Sequence, residues 1–146
     1  MPMAERRAEC VWHGNLMQGD GQLAVGSGAF GPTPVDFPAR TQSPDGKTSP
    51  EELIAAAQAV CYAMALSHTL TQAGHTPEQL TVDATAALDA DGGGLKVTTV
   101  TINVTGRVPG VDATGFQQFA RQAKEGCPVS NALKGNVDIQ VHAQLG

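Results

Sequence analysis

Aromatic side chains are scarce in this sequence, with four phenylalanines, one tyrosine and one tryptophan making up 4% of 146 residues. Much of the 41% hydrophobic content comes from 21 alanines, so a core built by one chain alone would be thin, which predicts burial across a subunit interface. Basic clusters are missing as well: Lys47, Lys96, Lys124 and Lys134 lie far apart, and the net charge is −5. Nucleic-acid binding needs grouped Lys and Arg to displace counterions, so that class of partner is excluded. No uninterrupted run approaches the roughly 18 apolar residues of a membrane span, and the opening Met1-Pro2-Met3-Ala4-Glu5-Arg6-Arg7 lacks an apolar region behind its charges. These absences predict one domain over residues 1–146, cytoplasmic, with no membrane partner.

Several active-site signatures are absent too. Gly26-Ser27-Gly28-Ala29-Phe30-Gly31 has the spacing of a phosphate-cradling loop, but that mechanism needs a helix immediately after it, and Pro32 and Pro34 forbid one. His13, His68, His75 and His142 show no metal-ligand spacing, so no metal is expected. There is no Gly-x-Ser-x-Gly elbow and no Cys-x-x-Cys. Cysteine itself is sparse. An odd count, at positions 10, 61 and 127, without a secretion signal, matches no disulfide scaffold.

Regular patterning is nevertheless strong, and it predicts an α+β architecture. Residues 8–46 read as short strands and Gly/Asp turns, with Cys10-Val11-Trp12-His13 and Gln22-Leu23-Ala24-Val25 forming a hairpin, a Gly/Pro link following, and Val35-Asp36-Phe37-Pro38-Ala39-Arg40 forming another short run. Ser49-Pro50-Glu51-Glu52 supplies a capping hydroxyl, a proline at the first helical position and a glutamate at the third, and Gly74 supplies the stop, which predicts a helix over residues 50–73. Gln58 is the only strongly polar side chain between Leu53 and Leu66, so this helix should be buried on all sides, as two copies packed together would allow. Alternation of Val100, Ile102 and Val104 with Thr99, Thr101 and Asn103 marks a hairpin strand. A second helix runs from the Asp112 cap to Gly126. Cys127-Pro128 leads into a short helical piece, Val129 to Lys134, and Val137 to Leu145 is the last strand.

The cysteines carry the chemistry. Cys61 lies in the middle of the apolar helix, where a small hydrophobe filling a core and a shielded nucleophile are both open readings. Cys127 stands between a helix-stopping glycine and a proline suited to open the next helix, where free N–H groups favour a thiolate. Cys10, on an edge strand, is assigned no role.

Two segments holding these residues, Ser49-Pro50-Glu51-Glu52-Leu53-Ile54-Ala55-Ala56-Ala57-Gln58-Ala59-Val60-Cys61 and Gly126-Cys127-Pro128-Val129-Ser130-Asn131-Ala132-Leu133-Lys134, resemble the signature motifs of the osmotically inducible protein C / organic hydroperoxide resistance (OsmC/Ohr) family. Trp12-His13-Gly14, Phe37-Pro38-Ala39-Arg40 and Val108-Pro109-Gly110-Val111-Asp112 resemble its osmotically inducible (OsmC) branch, and the likeness spans nearly the whole chain. The resemblance implies an intertwined homodimer with central helices back to back and antiparallel sheets outside. It implies a thiol peroxidase for organic hydroperoxides, inorganic peroxide serving more weakly, with Cys61 peroxidatic, Cys127 resolving, and Arg40 with Glu51 orienting and activating the thiolate. It implies no cofactor, only an external dithiol or lipoyl-type reductant. Val60 departs from the small residue expected before the cysteine.

That residue set is chemically coherent. An unperturbed thiol is only about 3% ionised at pH 7, and burial lowers that fraction further. A guanidinium can reverse the penalty, and a buried guanidinium in turn wants a carboxylate. Glu51 precedes Cys61 by ten residues, about 15 Å along a helix and roughly 80° around it, so if both serve one site they come from two chains. An apolar entrance beside Phe37, Tyr62 and Met64 is expected. The competing readings are a non-enzymatic assembly dimer with structural cysteines, and an oxidoreductase acting on protein disulfides, which the absence of Cys-x-x-Cys disfavours.

Overall fold

A computed structural model describes residues 1–146 as two compact units, Met1–Leu53 and Ile54–Gly146. In the first, β1 (Ala8–His13), β2 (Asp20–Val25) and β3 (Thr33–Val35) form an antiparallel sheet in that order. Gly21 lies opposite Trp12, and a Cβ there would stand 2.8 Å from the indole ring and 3.1 Å from Cys10 Sγ, so only glycine fits. The run expected over residues 35–40 instead divides into the end of β3 and a short helix, α1 (Phe37–Thr41). Asp36 starts that helix because its Oδ1 accepts from Ala39 N at 2.8 Å and Pro38 already holds a helical φ. The Ala39 N–H bond and Lys47, 3.3 Å away, hold the Asp36 carboxyl below its usual range.

Helix α2 (Pro50–Gln72) begins in the first unit and continues through the second. Its start is the expected cap, with Ser49 Oγ accepting from Glu52 N at 3.1 Å. At its end Gly74, with φ +86°, lets His75 N donate to Leu70 O and Gly74 N to Thr71 O, at 2.8 and 3.0 Å, which satisfies two terminal carbonyls. Contrary to the absence of long apolar runs in the sequence, α2 is long and apolar enough to cross a membrane by length and composition. One stripe of it packs instead into a protein core. The expected burial on every side is not met within one chain: Tyr62, Leu66 and Leu70 are fully buried, whereas Val60 and Met64 are 56% and 68% exposed.

The second unit supplies that core. β4 (Gln79–Asp91) and β5 (Gly94–Arg107) form the long antiparallel hairpin around the predicted glycine turn. β6 (Asp138–Leu145) then joins β5 in parallel, a departure from the all-antiparallel sheets expected. Parallel pairing requires a crossover, and α3 (Ala113–Gly126) with α4 (Pro128–Leu133) provides it. Val100, Ile102 and Val104 on one face of β5 meet Tyr62, Leu66 and Leu70 of α2, Phe116 and Ala123 of α3, and Ile139 of β6. A Cβ on Gly106 would come within 2.6 Å of the Phe116 ring, so a glycine at this point of β5 is what seats α3.

Candidate active site

Two pairs of functional side chains form, one in each unit. In the first, Asp36 and Pro38 shape α1 so that Arg40 falls in its last turn, while Glu51 falls in the first turn of α2. Arg40 donates from Nε to both Glu51 oxygens, at 2.9 and 3.2 Å, and from its second terminal nitrogen to Oε1 at 2.8 Å. Glu51 is almost fully buried, while Arg40 keeps about a third of its side chain in solvent (32%). A bidentate ion pair of this kind fixes the direction of the guanidinium and leaves its remaining N–H donors free to aim elsewhere.

In the second unit, Cys61 packs against the core cluster that holds Cys127, close enough that each thiol shifts the other's acidity. Both are unoxidised, Cys127 fully buried and Cys61 partly so. Cys61 comes from the middle of α2. Cys127 is both the C-cap of α3 and the N-cap of α4, and two bonds fix that corner: Asn131 Nδ2 donates to Glu125 O at 3.1 Å, and Asn131 N to Cys127 O at 2.9 Å. Tyr62, the neighbour of Cys61, donates its hydroxyl to Ala120 O at 2.8 Å and ties α2 to α3 about two turns before Cys127. Burial, and after it the charge of the nearby Cys127, pushes the Tyr62 phenol up. Tyr62 is therefore a strut inside the core and not part of an entrance, as the sequence had suggested, while Met64 is exposed and Phe37 half-buried in the first unit.

The two thiols have opposite acidities. Burial pushes Cys61 up, the Val129 N–H pulls it down, and the neighbouring Cys127 raises it again. For Cys127 burial also opposes ionisation, but the Ser130 hydroxyl and N–H, the Cys61 thiol and the Val129 N–H together outweigh it and bring Cys127 below the ordinary thiol range. Within this unit the sulfur favoured as anion is thus Cys127.

Two residues of this cluster were not assigned from sequence. Gln58, fully buried one turn before Cys61, donates Nε2 to Cys127 Sγ at 3.4 Å and to Ser130 Oγ at 3.0 Å, while its Oε1 meets no donor. Its signal in the sequence is its solitude as a polar side chain on an apolar helix. Ser130 follows Cys127 by three residues, the spacing that turns a side chain at the start of a helix toward the cap. Cys10 is exposed on β1.

Comparison with known proteins supplies the family. A family model described as OsmC-like protein matches residues 43–142. Peroxiredoxin OsmC of Escherichia coli (strain K12) is 37% identical over 134 residues, which cover 92% of this chain and 93% of that protein. The organic hydroperoxide resistance protein of Xanthomonas axonopodis pv. citri (strain 306) is 30% identical over 93 residues, 63% of each chain. The crystal structure of OhrB, an organic hydroperoxide resistance protein of Bacillus subtilis, superposes with a TM-score of 0.75 at 26% identity, covering 94% of this chain and 97% of that one. With its two sheets, long central helix and crossover helices matched along nearly its whole length, this chain belongs to the OsmC-like protein family.

Proposed function

We propose that this protein is a thiol-dependent peroxidase that reduces organic hydroperoxides, and inorganic peroxide more weakly, through Cys61 and Cys127. The observation that carries the reading is the meeting of two unoxidised cysteines in one core cluster, Cys127 fully buried and Cys61 partly open to the surface. The names borne by the relatives, peroxiredoxin and organic hydroperoxide resistance protein, point to the same redox chemistry.

In this reading the Cys61 thiolate attacks the outer peroxide oxygen, the O–O bond breaks, an alkoxide leaves and takes up a proton as the alcohol, and Cys61 becomes a sulfenic acid. The Cys127 sulfur then attacks Cys61 Sγ, expels hydroxide as water and closes a disulfide. An external dithiol, such as a lipoyl group, returns both cysteines to thiols and is itself oxidised. No prosthetic group takes part in these steps.

Burial alone disfavours a Cys61 anion, so the reading needs a cation. The Arg40–Glu51 pair of a second copy supplies it. Support comes from the bidentate geometry, which leaves guanidinium donors free, and from the exposed stripe of α2. Ala56, Ala57, Val60 and Met64 face solvent in the single chain, beside a groove of about 620 Å³ lined in part by Met64, Ser67, His68 and Thr71. A second α2 packed against that stripe makes the helix buried on all sides, as its composition demands. The active form is then a homodimer.

The test feeds reduced protein with cumene hydroperoxide and dithiothreitol. Cys61→Ser is expected to slow hydroperoxide consumption by at least about a thousandfold, the scale of losing a nucleophile, while Cys10→Ser leaves it unchanged. Mass spectrometry of the oxidised protein should map a 61–127 disulfide. Consumption that survives in Cys61→Ser would refute the assignment.

A further inference from the structure

We infer that Gln58 is a positioning residue for the regeneration half of the cycle: its amide N–H, shared between Cys127 Sγ and Ser130 Oγ, directs the reductant to Cys61 by making Cys127 the sulfur that leaves. The inference rests on the two-cysteine reading above.

Gln58 is a poor choice for packing alone. Its side chain is fully buried on the core side of α2, and its Oε1 has no donor, a cost that an apolar residue of similar volume would avoid. What the amide does offer is a nitrogen donor placed 3.4 Å from the Cys127 sulfur and 3.0 Å from the Ser130 hydroxyl. That bond lies inside a core, where a donor counts for more than in water, and it goes to Cys127, while no side-chain donor reaches Cys61.

The asymmetry matters when the disulfide is reopened. Thiol–disulfide exchange proceeds by attack on one sulfur and departure of the other, and the sulfur better stabilised as thiolate departs faster. Cys127 has that stabilisation and is also completely covered, whereas Cys61 is partly exposed. A reductant thiolate therefore forms its S–S bond with Cys61, the Cys61–Cys127 bond breaks, and Cys127 leaves with the electron pair. The second thiol of the reductant then attacks the reductant sulfur of the mixed disulfide, releases Cys61 as thiolate and leaves the reductant as a disulfide. Two electrons pass from the dithiol to the protein. Peroxide and reductant are thus handled in turn by one sulfur.

The test uses the full chain with Gln58→Met, which keeps volume and removes the donor, and separately Ser130→Ala, which alters the same cradle from another helix. Each protein is oxidised with one equivalent of cumene hydroperoxide, the disulfide is mapped, and its reduction by dithiothreitol is followed from pH 6 to 9. The reductive rate, relative to the oxidative rate, should fall about threefold to tenfold in both variants, as expected for a more basic leaving thiol. Its dependence on pH should change with it, which a merely structural role would not produce. Glutathione, a monothiol, added to the oxidised parent protein should be found on Cys61. A parent protein that forms no 61–127 disulfide overturns the two-cysteine reading and this inference with it. A disulfide that forms normally, but is reduced at the parental rate and with the parental pH profile in both variants, or that carries glutathione on Cys127, overturns this inference alone.

Discussion

Residues 1–53 and 54–146 use their apolar side chains in opposite ways. In the second unit a continuous cluster, from Tyr62 and Leu66 through Val100 and Ile102 to Phe116, is wholly removed from solvent. In the first, Gly21, Ala39 and Glu51 are the buried residues, every residue of β1 is exposed, and Val11, Trp12, Leu16, Met17 and Phe30 all face out, at 39% to 60% exposure. A small sheet with no layer over it is marginal in water. The chemistry divides along the same line. The second unit contains its two sulfurs in contact, while the first contains an oriented guanidinium whose own unit offers it only an exposed cysteine on β1. One half is self-sufficient in packing; the other has the cation and lacks a core. In the homodimer proposed above, two copies would exchange those deficits.

Three experiments sharpen that contrast. The largest effect is expected from Arg40→Ala: if the first unit supplies the charge that ionises Cys61 in a partner, hydroperoxide consumption should fall about a hundredfold at pH 7, the scale of losing one preorganised charged donor. The sign with pH follows from the thiols. Without the guanidinium, burial keeps Cys61 above the ordinary thiol value of about 8.5, so the residual rate should climb as pH rises past that value, while Cys127, held lower by Ser130, becomes the first of the pair to ionise. A pH–rate profile unchanged from the parent protein would remove the first unit from the chemistry. Second, Val60→Glu with Met64→Glu places charges on the exposed stripe of α2 and leaves the buried stripe alone. Sedimentation should then show a monomer that keeps its helical circular dichroism and consumes hydroperoxide at less than about a tenth of the parent rate, because the cation is no longer delivered. Third and smallest, Ile102→Ala should lower unfolding free energy by about 3 kcal/mol through lost burial and a residual cavity, and Val11→Ala by under about 1 kcal/mol. Urea titrations at fixed protein concentration would reveal the reverse order if the first unit were the stability-determining one.

Local rules made most of the fold readable. Ser49, Pro50 and Gly74 bracket α2, Asp112 opens α3 by accepting from Gly115 N at 2.7 Å, and the alternation around Ile102 identifies β5, because each of these signals depends on neighbours in the chain. What was not legible depends on distance. Nothing local distinguishes a parallel from an antiparallel β6, since the choice is made by where α3 and α4 return the chain. Asp36 was read as part of a strand because β-prone Val35 and Phe37 flank it, and its capping bond to Ala39 won. Both cysteines, and Arg40 with Glu51, could be picked out by motif. Their relative acidity could not, because it depends on burial and on how the chain at Val129 and Ser130 folds around the two sulfurs.

The strut from Tyr62 to Ala120 carries a last consequence. In the proposed cycle, locking two helices while both sulfurs are still reduced would make disulfide closure a reaction between groups already assembled, with the high effective molarity that implies. A freshly formed sulfenic acid would then be captured within the molecule before another peroxide arrives from solution, and the irreversible climb to sulfinic and sulfonic acids would be cut short. In that cycle, rigidity at this corner would protect the catalyst from its own substrate.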